Sequence, residues 1–258
     1  MNRVLITGAA GRLGHSLRQT LRGAYPILRL SDLAPLGTAE EGEELDRTDI
    51  TDYAAVEKMV EGVDAVVHLG GIAAEAQWAQ IAAINITGTF NVFEAARNAG
   101  VKRIVFASSN HAMGFYPRSQ TIDHASTPRP DSRYGVSKAA GEAIASLYAH
   151  RYGIGVLSVR IGNFNAKPLE LRHLSIWVSG RDLAQLVRIG IDHPGIVDEV
   201  VYGVSGNSRS WWDNRNAQRL GYVPQDNAED FAAEILAREE TAHPVAARFQ
   251  GGKYCTVE

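Results

Sequence analysis

A doubly wound parallel sheet with helices on both faces is the fold class this sequence predicts, and three observations carry it. Short apolar runs alternate with helix-period segments from residue 1 to residue 160, the pattern of repeated βα units joined by right-handed crossovers. The first run, Val4-Leu5-Ile6, breaks at Thr7-Gly8-Ala9-Ala10-Gly11-Arg12-Leu13-Gly14 into a segment with Leu13, Leu17 and Leu21 four apart, so a glycine turn sits where strand becomes helix. Asp32 then ends the second run 18 residues after Gly14, close to the offset at which an acid meets the ribose hydroxyls of a dinucleotide.

The elements follow in order. Pro26 to Leu30 reads as the second strand, ending at Ser31-Asp32, and Glu40 to Glu44 as an acidic, solvated loop. A short third strand precedes Thr48-Asp49-Ile50, and Tyr53 to Val60 reads as a helix. Asp64 to Leu69 is a fourth strand running into Gly70-Gly71, glycines that admit a ligand at the carboxyl edge of a sheet. Asn85 to Asn98 is predicted helical and closed by Gly100, Lys102 to Ala107 is the fifth strand, and a helix opens at Tyr134 and continues to about Arg151. Ile154 to Arg160 is the sixth strand. Beyond Gly162 the pattern loosens into Ser179 to Asp192 (helix), Val200 to Val204 (strand) and Asn227 to Arg238 (helix). Residues 1–160 are therefore expected to form a Rossmann-type dinucleotide core, and residues 161–258 a small substrate-binding lobe over its carboxyl edge. Trp177, Trp211 and Trp212 are expected to pack that lobe rather than to hold substrate.

Composition narrows the function. The chain has 258 residues, 45% hydrophobic content, a formal charge of −3 and no basic cluster, which excludes a built-in attraction to nucleic acid or anionic membrane. No apolar run approaches the ~18 residues of a membrane span. The first strand pattern begins at once, with no signal-peptide pattern before it, and Cys255 is the only cysteine; a cytoplasmic location is expected. No metal-ligand spacing occurs, and a homo-oligomer stays open.

The chemistry centres on Tyr134 and Lys138, one helical turn apart, with Ser109 arriving at the end of the fifth strand. A phenol that titrates near ~10 accepts a proton at neutral pH only if its anion is stabilised, and an adjacent ammonium does this. The glycine turn, through Gly8, Gly11, Arg12, Leu13 and Gly14, would take a diphosphate on the helix N-terminus. Asp32 opposes a 2′-phosphate and so favours NAD over NADP, while Arg12 and Arg29 pull the other way.

With these residues in view, the glycine turn, Asp32, Asp49, Asn85 within Asn85-Ile86-Thr87-Gly88, Ser109 and Tyr134-Gly135-Val136-Ser137-Lys138 resemble the extended short-chain dehydrogenase/reductase superfamily. Gly70-Gly71-Ile72, Phe106 to His111, Ser175 with Trp177, Trp211-Trp212-Asp213-Asn214 and Arg248 to Gly252 resemble, more narrowly, the uronate dehydrogenases. That resemblance implies oxidation of C1 of D-galacturonate or D-glucuronate by NAD to an aldarolactone. It implies Tyr134 as general base, Lys138 as its partner and ribose contact, and Ser109 as the holder of O1. Asp49 and Ile50 would meet adenine, and Leu69, Gly70, Gly71 and Asn85 would complete the cofactor site. Asn110, His111, Asn163 and Arg172 would bind the sugar, with Arg172 on the C6 carboxylate. Ala73 and Asn163 stand where the family carries serine. On residue chemistry alone Arg172 reads first as a solvated loop arginine, and His111 can be a hydrogen-bonded loop histidine. A sugar-nucleotide epimerase or reductase and a non-catalytic dinucleotide sensor are the competing functions. The first needs a larger C-terminal lobe than the 98 residues after Arg160, and the second has no need of Tyr134 and Lys138.

Overall fold

The computed structural model describes residues 1–238 and 243–257. β1 (Arg3–Thr7) passes through the glycine turn into α1 (Arg12–Leu21), then β2 (Ile27–Ser31) and β3 (Glu43–Asp46). α2 (Tyr53–Met59) returns the chain to β4 (Ala65–His68). α3 (Trp78–Gln80), a π-helical turn (Ile81–Thr87) and α4 (Gly88–Asn98) follow without a break and lead to β5 (Arg103–Ser109). A 3-10 turn (Asn110–Met113) and a proline-marked loop precede α5 (Arg133–Tyr152) and β6 (Gly155–Ile161). The remainder comprises β7 (Asn163–Phe164), α6 (His173–Ile176), β8 (Trp177–Val178), α7 (Gly180–Asp192), β9 (Asp198–Gly203) and α8 (Arg215–Arg219). Then come a 3-10 turn (Ala228–Phe231), α9 (Ala232–Leu236), α10 (Pro244–Arg248) and a last 3-10 turn (Gly252–Thr256).

The main sheet has seven strands in the order β3-β2-β1-β4-β5-β6-β9, and every pairing in it is parallel. The chain steps outward from β1 through β2 and β3, then crosses back to lay β4 on the other side of β1. That reversal opens a crevice beyond the carboxyl ends of β1 and β4, where ligands of such sheets bind. Strand alternation supplies two cores. Val4, Ile6, Val67 and Val105 pack with Leu17 and Leu183 from α1 and α7, whereas Leu5, Val66 and Ile104 pack with Val56, Phe93 and Tyr148 from α2, α4 and α5.

Three expectations are corrected. The acidic stretch Glu40 to Glu44 is not simply a solvated loop, because Glu43 opens β3 with a buried carboxylate that accepts from Arg18 Nε at 2.9 Å and pairs with Arg22 at 3.3 Å. Two cations at the end of α1 fold down on it and hold its pKa at about 2. The helix expected from Asn85 begins at Trp78 instead and contains a π turn at Ile81–Thr87, whose extra residue shifts the apolar face, so no single 3.6-residue period joins the first turns to the rest. The segment expected to be helical from Asn227 to Arg238 opens as a 3-10 turn before α9.

Residues 161–258 do more than cover the sheet, for they add β9 to its edge and α7 to its face. The three tryptophans do pack. Trp177 and Trp212 are buried, and Trp212 stacks on Tyr202 at 4.6 Å between centroids. Among the described residues no helix is long and apolar enough to cross a membrane.

Candidate active site

One cleft of about 970 Å³ lies over the carboxyl edge, running from the glycine turn to Arg172 and Tyr254. At one end Gly8 takes φ +68°, and a Cβ there would lie 2.8 Å from the Gly70 backbone nitrogen. The turn after β1 and the end of β4 are thus in backbone contact, and only glycine fits between them. Asp32 braces the turn, its carboxylate accepting from the Ala10 N–H at 3.0 Å and the Ala34 N–H at 2.9 Å. The Asp49 carboxylate accepts from the N–H and hydroxyl of Thr51, both at 2.8 Å. Ile50 is held from behind, because Asn91 donates to its carbonyl at 2.9 Å and Gly88 leaves its side chain room.

Gly8, Gly11, Arg12, Leu13, Asp32, Asp49, Ile50, Leu69, Gly70 and Gly71 all line the cleft. Gly14 and Asn85 do not. A Cβ on Gly14 would sit 2.5 Å from the Gly8 carbonyl oxygen, so its task is to seat α1 on the turn. Asn85, inside the π turn, accepts from the Ile72 N–H at 2.8 Å and donates to the Ile72 carbonyl at 2.9 Å and the Ser137 hydroxyl at 3.0 Å. It therefore ties the loop after β4 to α5 from beneath the cleft floor. Arg29, weighed as a counterweight to Asp32, points elsewhere: it donates to Glu44 and to the carbonyls of Met59 and Glu61.

At the centre, α5 opens with Ser132 accepting from the Gly135 N–H at 3.0 Å, while Glu75 accepts from the Tyr134 N–H at 3.0 Å. Two otherwise unpaired donors of the first turn are thereby satisfied and Tyr134 is fixed in azimuth. Burial pushes the Tyr134 phenol up to about 12, against the pull of its hydrogen bond with Ser109. Burial also brings the Lys138 ammonium down to about 8; its Nζ lies 5.7 Å from the Tyr134 ring centroid. The ligand-free site thus favours a neutral phenol, and a cation arriving beside it favours the phenolate. His68, buried under the same floor between Thr7 (2.8 Å) and Thr89 (3.1 Å), is held neutral by burial and by Lys138, with a pKa of about 3.

At the far end, His111 is a positioned ring. Its Nδ1 lies 2.7 Å from the buried Asp131 carboxylate, and the ring stacks on Tyr254 at 3.8 Å. Burial outweighs Asp131 and lowers its pKa. Arg172 is not the solvated arginine of a loop. Its Nε donates to the Gln250 carbonyl at 2.6 Å and its Nη2 to the Asn110 side-chain oxygen at 2.6 Å, while the Asn110 amide donates to the Ile161 carbonyl at 3.1 Å. Burial lowers Arg172 to about 10, so it keeps its charge at neutral pH. Gln250 is itself buried; it accepts from Trp212 Nε1 at 2.8 Å and donates to the carbonyls of Pro117 at 3.1 Å and Gln120 at 2.8 Å.

Ser109, Asn110, His111, Asn163 and Arg172 all reach the cleft. Sequence reasoning missed Asp131, Glu75, Lys253 and Tyr254. Glu75 holds α5, Asp131 orients His111, and the last two line the cleft. Ala73 lines it too, with no hydroxyl to offer.

A sequence profile described as the NAD dependent epimerase/dehydratase family matches residues 4–185. Uronate dehydrogenase of Pseudomonas putida (strain KT2440) is 48% identical over 255 residues, 98% of this chain and 95% of its own. The crystal structure of uronate dehydrogenase from Agrobacterium tumefaciens is similar at TM-score 0.96 and 43% identity, covering 100% of this chain and 98% of that one. A tyrosine-to-alanine mutant of the Agrobacterium tumefaciens enzyme, solved in complex with NAD, is similar at TM-score 0.96 and 42% identity, with the same coverage.

Proposed function

The chain belongs to the NAD-dependent epimerase/dehydratase family and, within it, to the uronate dehydrogenases, and from that membership we propose that it oxidises C1 of D-galacturonate or D-glucuronate to the aldarolactone. What supports this reading is the continuity of the cleft, which is lined by the glycine turn, the Tyr134–Lys138–Ser109 cluster and the half-buried Arg172. NAD fits the first part of it. The glycine turn and Gly70 bring backbone to the cleft lining, α1 offers its N-terminus, Asp32 has acceptor capacity for ribose hydroxyls, and Asp49 and Ile50 flank the place for adenine. When bound, NAD accepts the hydride from C1.

The residues supply the rest. Ser109 holds the sugar O1, and the Tyr134 phenolate takes its proton as the C1–H bond breaks. The positive charge of the oxidised nicotinamide, when bound beside it, would lower the phenol from its ligand-free value of about 12. Arg172 meets the C6 carboxylate, and Asn110, His111 and Asn163 hold ring oxygens. His111, neutral and fixed through Nδ1, serves as a hydrogen-bonding ring rather than a proton carrier. Residues 161–258 act as the substrate-binding part, with a uronic acid as the partner molecule. We place the reaction in the cytoplasm.

The test compares NADH formation from galacturonate, glucuronate and UDP-glucose at equal concentrations. Rapid turnover of either uronate and none of UDP-glucose is expected; turnover of the nucleotide sugar alone overturns the assignment in favour of a sugar-nucleotide enzyme.

A further inference from the structure

We propose that Arg12, Asn165 and Asn163 form a hydrogen-bonded strap that makes cofactor binding and sugar binding reinforce one another, an inference that rests on the NAD and uronate reading above. Arg12, the first residue of α1, donates from Nη1 to Asn165 Oδ1 at 2.8 Å, across 153 residues of sequence. Asn165 Nδ2 in turn donates to Asn163 Oδ1 at 2.7 Å. The far end is anchored, because buried Trp177 donates from Nε1 to the Asn165 carbonyl at 2.8 Å and β7 pairs with β8. The near end carries a charge that no carboxylate neutralises, since Arg12 has no ion pair among the described residues and its strap partner is a neutral amide.

Arg12 and Asn163 both line the main cleft, and Asn165 does not; it borders a separate hollow of about 420 Å³ beside Gly11, Arg12 and His15. The middle link therefore touches neither ligand. A diphosphate on the N-terminus of α1 attracts and orders the Arg12 guanidinium. An ordered guanidinium fixes the Asn165 oxygen, which fixes its amide on Asn163, and the Asn163 amide N–H groups are then presented to the sugar. Whichever ligand binds first pays for ordering the strap, and the second binds to a strap already ordered. Such coupling is reciprocal.

The nicotinamide complicates a direct test because it touches the sugar, so the probe is ADP-ribose, which has the diphosphate without the nicotinamide. Galacturonate affinity is measured by calorimetry in Tyr134→Phe, where no turnover intervenes, with and without saturating ADP-ribose. ADP-ribose is expected to tighten galacturonate binding about fivefold. Asn165→Ala in the same background keeps the backbone carbonyl that Trp177 uses. It is expected to remove the enhancement while each ligand alone binds within about twofold of the parent. Asn165→Asp, which gives Arg12 a competing carboxylate, is expected to weaken ADP-ribose itself about tenfold. No enhancement in the parent, an undiminished one in Asn165→Ala, or unchanged ADP-ribose affinity in Asn165→Asp overturns the strap. A parent that binds neither ligand overturns the cofactor and sugar reading, and the strap falls with it.

Discussion

The two halves of the cleft are built in different ways. The cofactor half is made of backbone: the ends of β1 and β4 meet at Gly8 and Gly70, and its side chains mostly brace backbone turns, Asp32 at Ala10 and Ala34 and Asp49 at Thr51. The substrate half is made of side chains brought from β5, α5, the loop before α6 and the segment beyond α10. Each is held by another side chain or a distant carbonyl: His111 by Asp131, Arg172 by Asn110 and the Gln250 carbonyl. A backbone site has few positions at which one substitution is ruinous, apart from its glycines. A side-chain site has many, and they fail separately.

Breaking the boundary between the halves carries the largest expected effect. Tyr134→Phe retains the ring and removes the proton acceptor, so turnover falls roughly a hundredfold to ten-thousandfold while the NAD dissociation constant stays within about threefold. Stopped-flow turnover beside fluorescence titration of NADH checks both. Activity above a tenth of wild type places the base elsewhere.

Arg172→Ala tests whether the substrate half alone reads the acid. Removing one member of a desolvated charge pair costs kcat/KM for galacturonate on the order of a hundredfold to a thousandfold. The weak activity on galactose is expected to change little, so the ratio of acid to neutral sugar collapses. A proportional fall in both makes Arg172 structural.

Gln250→Ala asks whether the support is as separable as the contact. It leaves the buried Trp212 Nε1 without its acceptor, a cost of about 1–3 kcal/mol for one buried group left unsatisfied. It also loosens the chain that carries the Arg172 acceptor. A KM for galacturonate raised about tenfold to a hundredfold with NAD affinity unchanged is expected, along with a melting temperature lower by about 5 °C. A lower melting temperature with an unchanged KM separates fold support from arginine positioning.

Asp32→Ser is the smallest break and lies in the cofactor half. It keeps a hydroxyl acceptor for the Ala10 N–H but drops the charge proposed to meet the ribose. About a tenfold loss in kcat/KM for NAD, with little change for NADP, is expected from losing one charged hydrogen-bond partner. Equal use of both cofactors by wild type gives the deciding role to Arg12.

The same contrast explains what was legible in the chain. Strand runs, the glycine turn and the Asp32 offset are local patterns, so the sheet and the cofactor half follow from spacing. Arg12 could be placed from its motif, whereas Arg29 could not, because its engagement by Glu44 depends on how β2 meets β3. Asn110, His111, Asn163 and Arg172 were reached through family resemblance, because no local spacing joins them, and Tyr254 was not reached at all. Asp131 and Glu75 were missed because a carboxylate in a loop carries no sign of the ring or helix end it will meet. The π turn was missed because nothing in residue type marks where a helix takes one extra residue and its apolar face shifts. Asn85 lies within it and meets Ile72 and Ser137.

The dependence of Arg172 on the Gln250 carbonyl also orders events during synthesis. By the time Lys138 has left the ribosome, the glycine turn, Asp32, Asp49 and the β4 glycines have all been made, and the sheet grows from its N-terminal strands. Arg172 lacks its carbonyl acceptor until residue 250 arrives, more than a hundred residues later. The residues of the glycine-turn end are thus made long before the carbonyl that seats Arg172, although the α7 side chains that cover Val4, Ile6 and Val67 arrive only after residue 180.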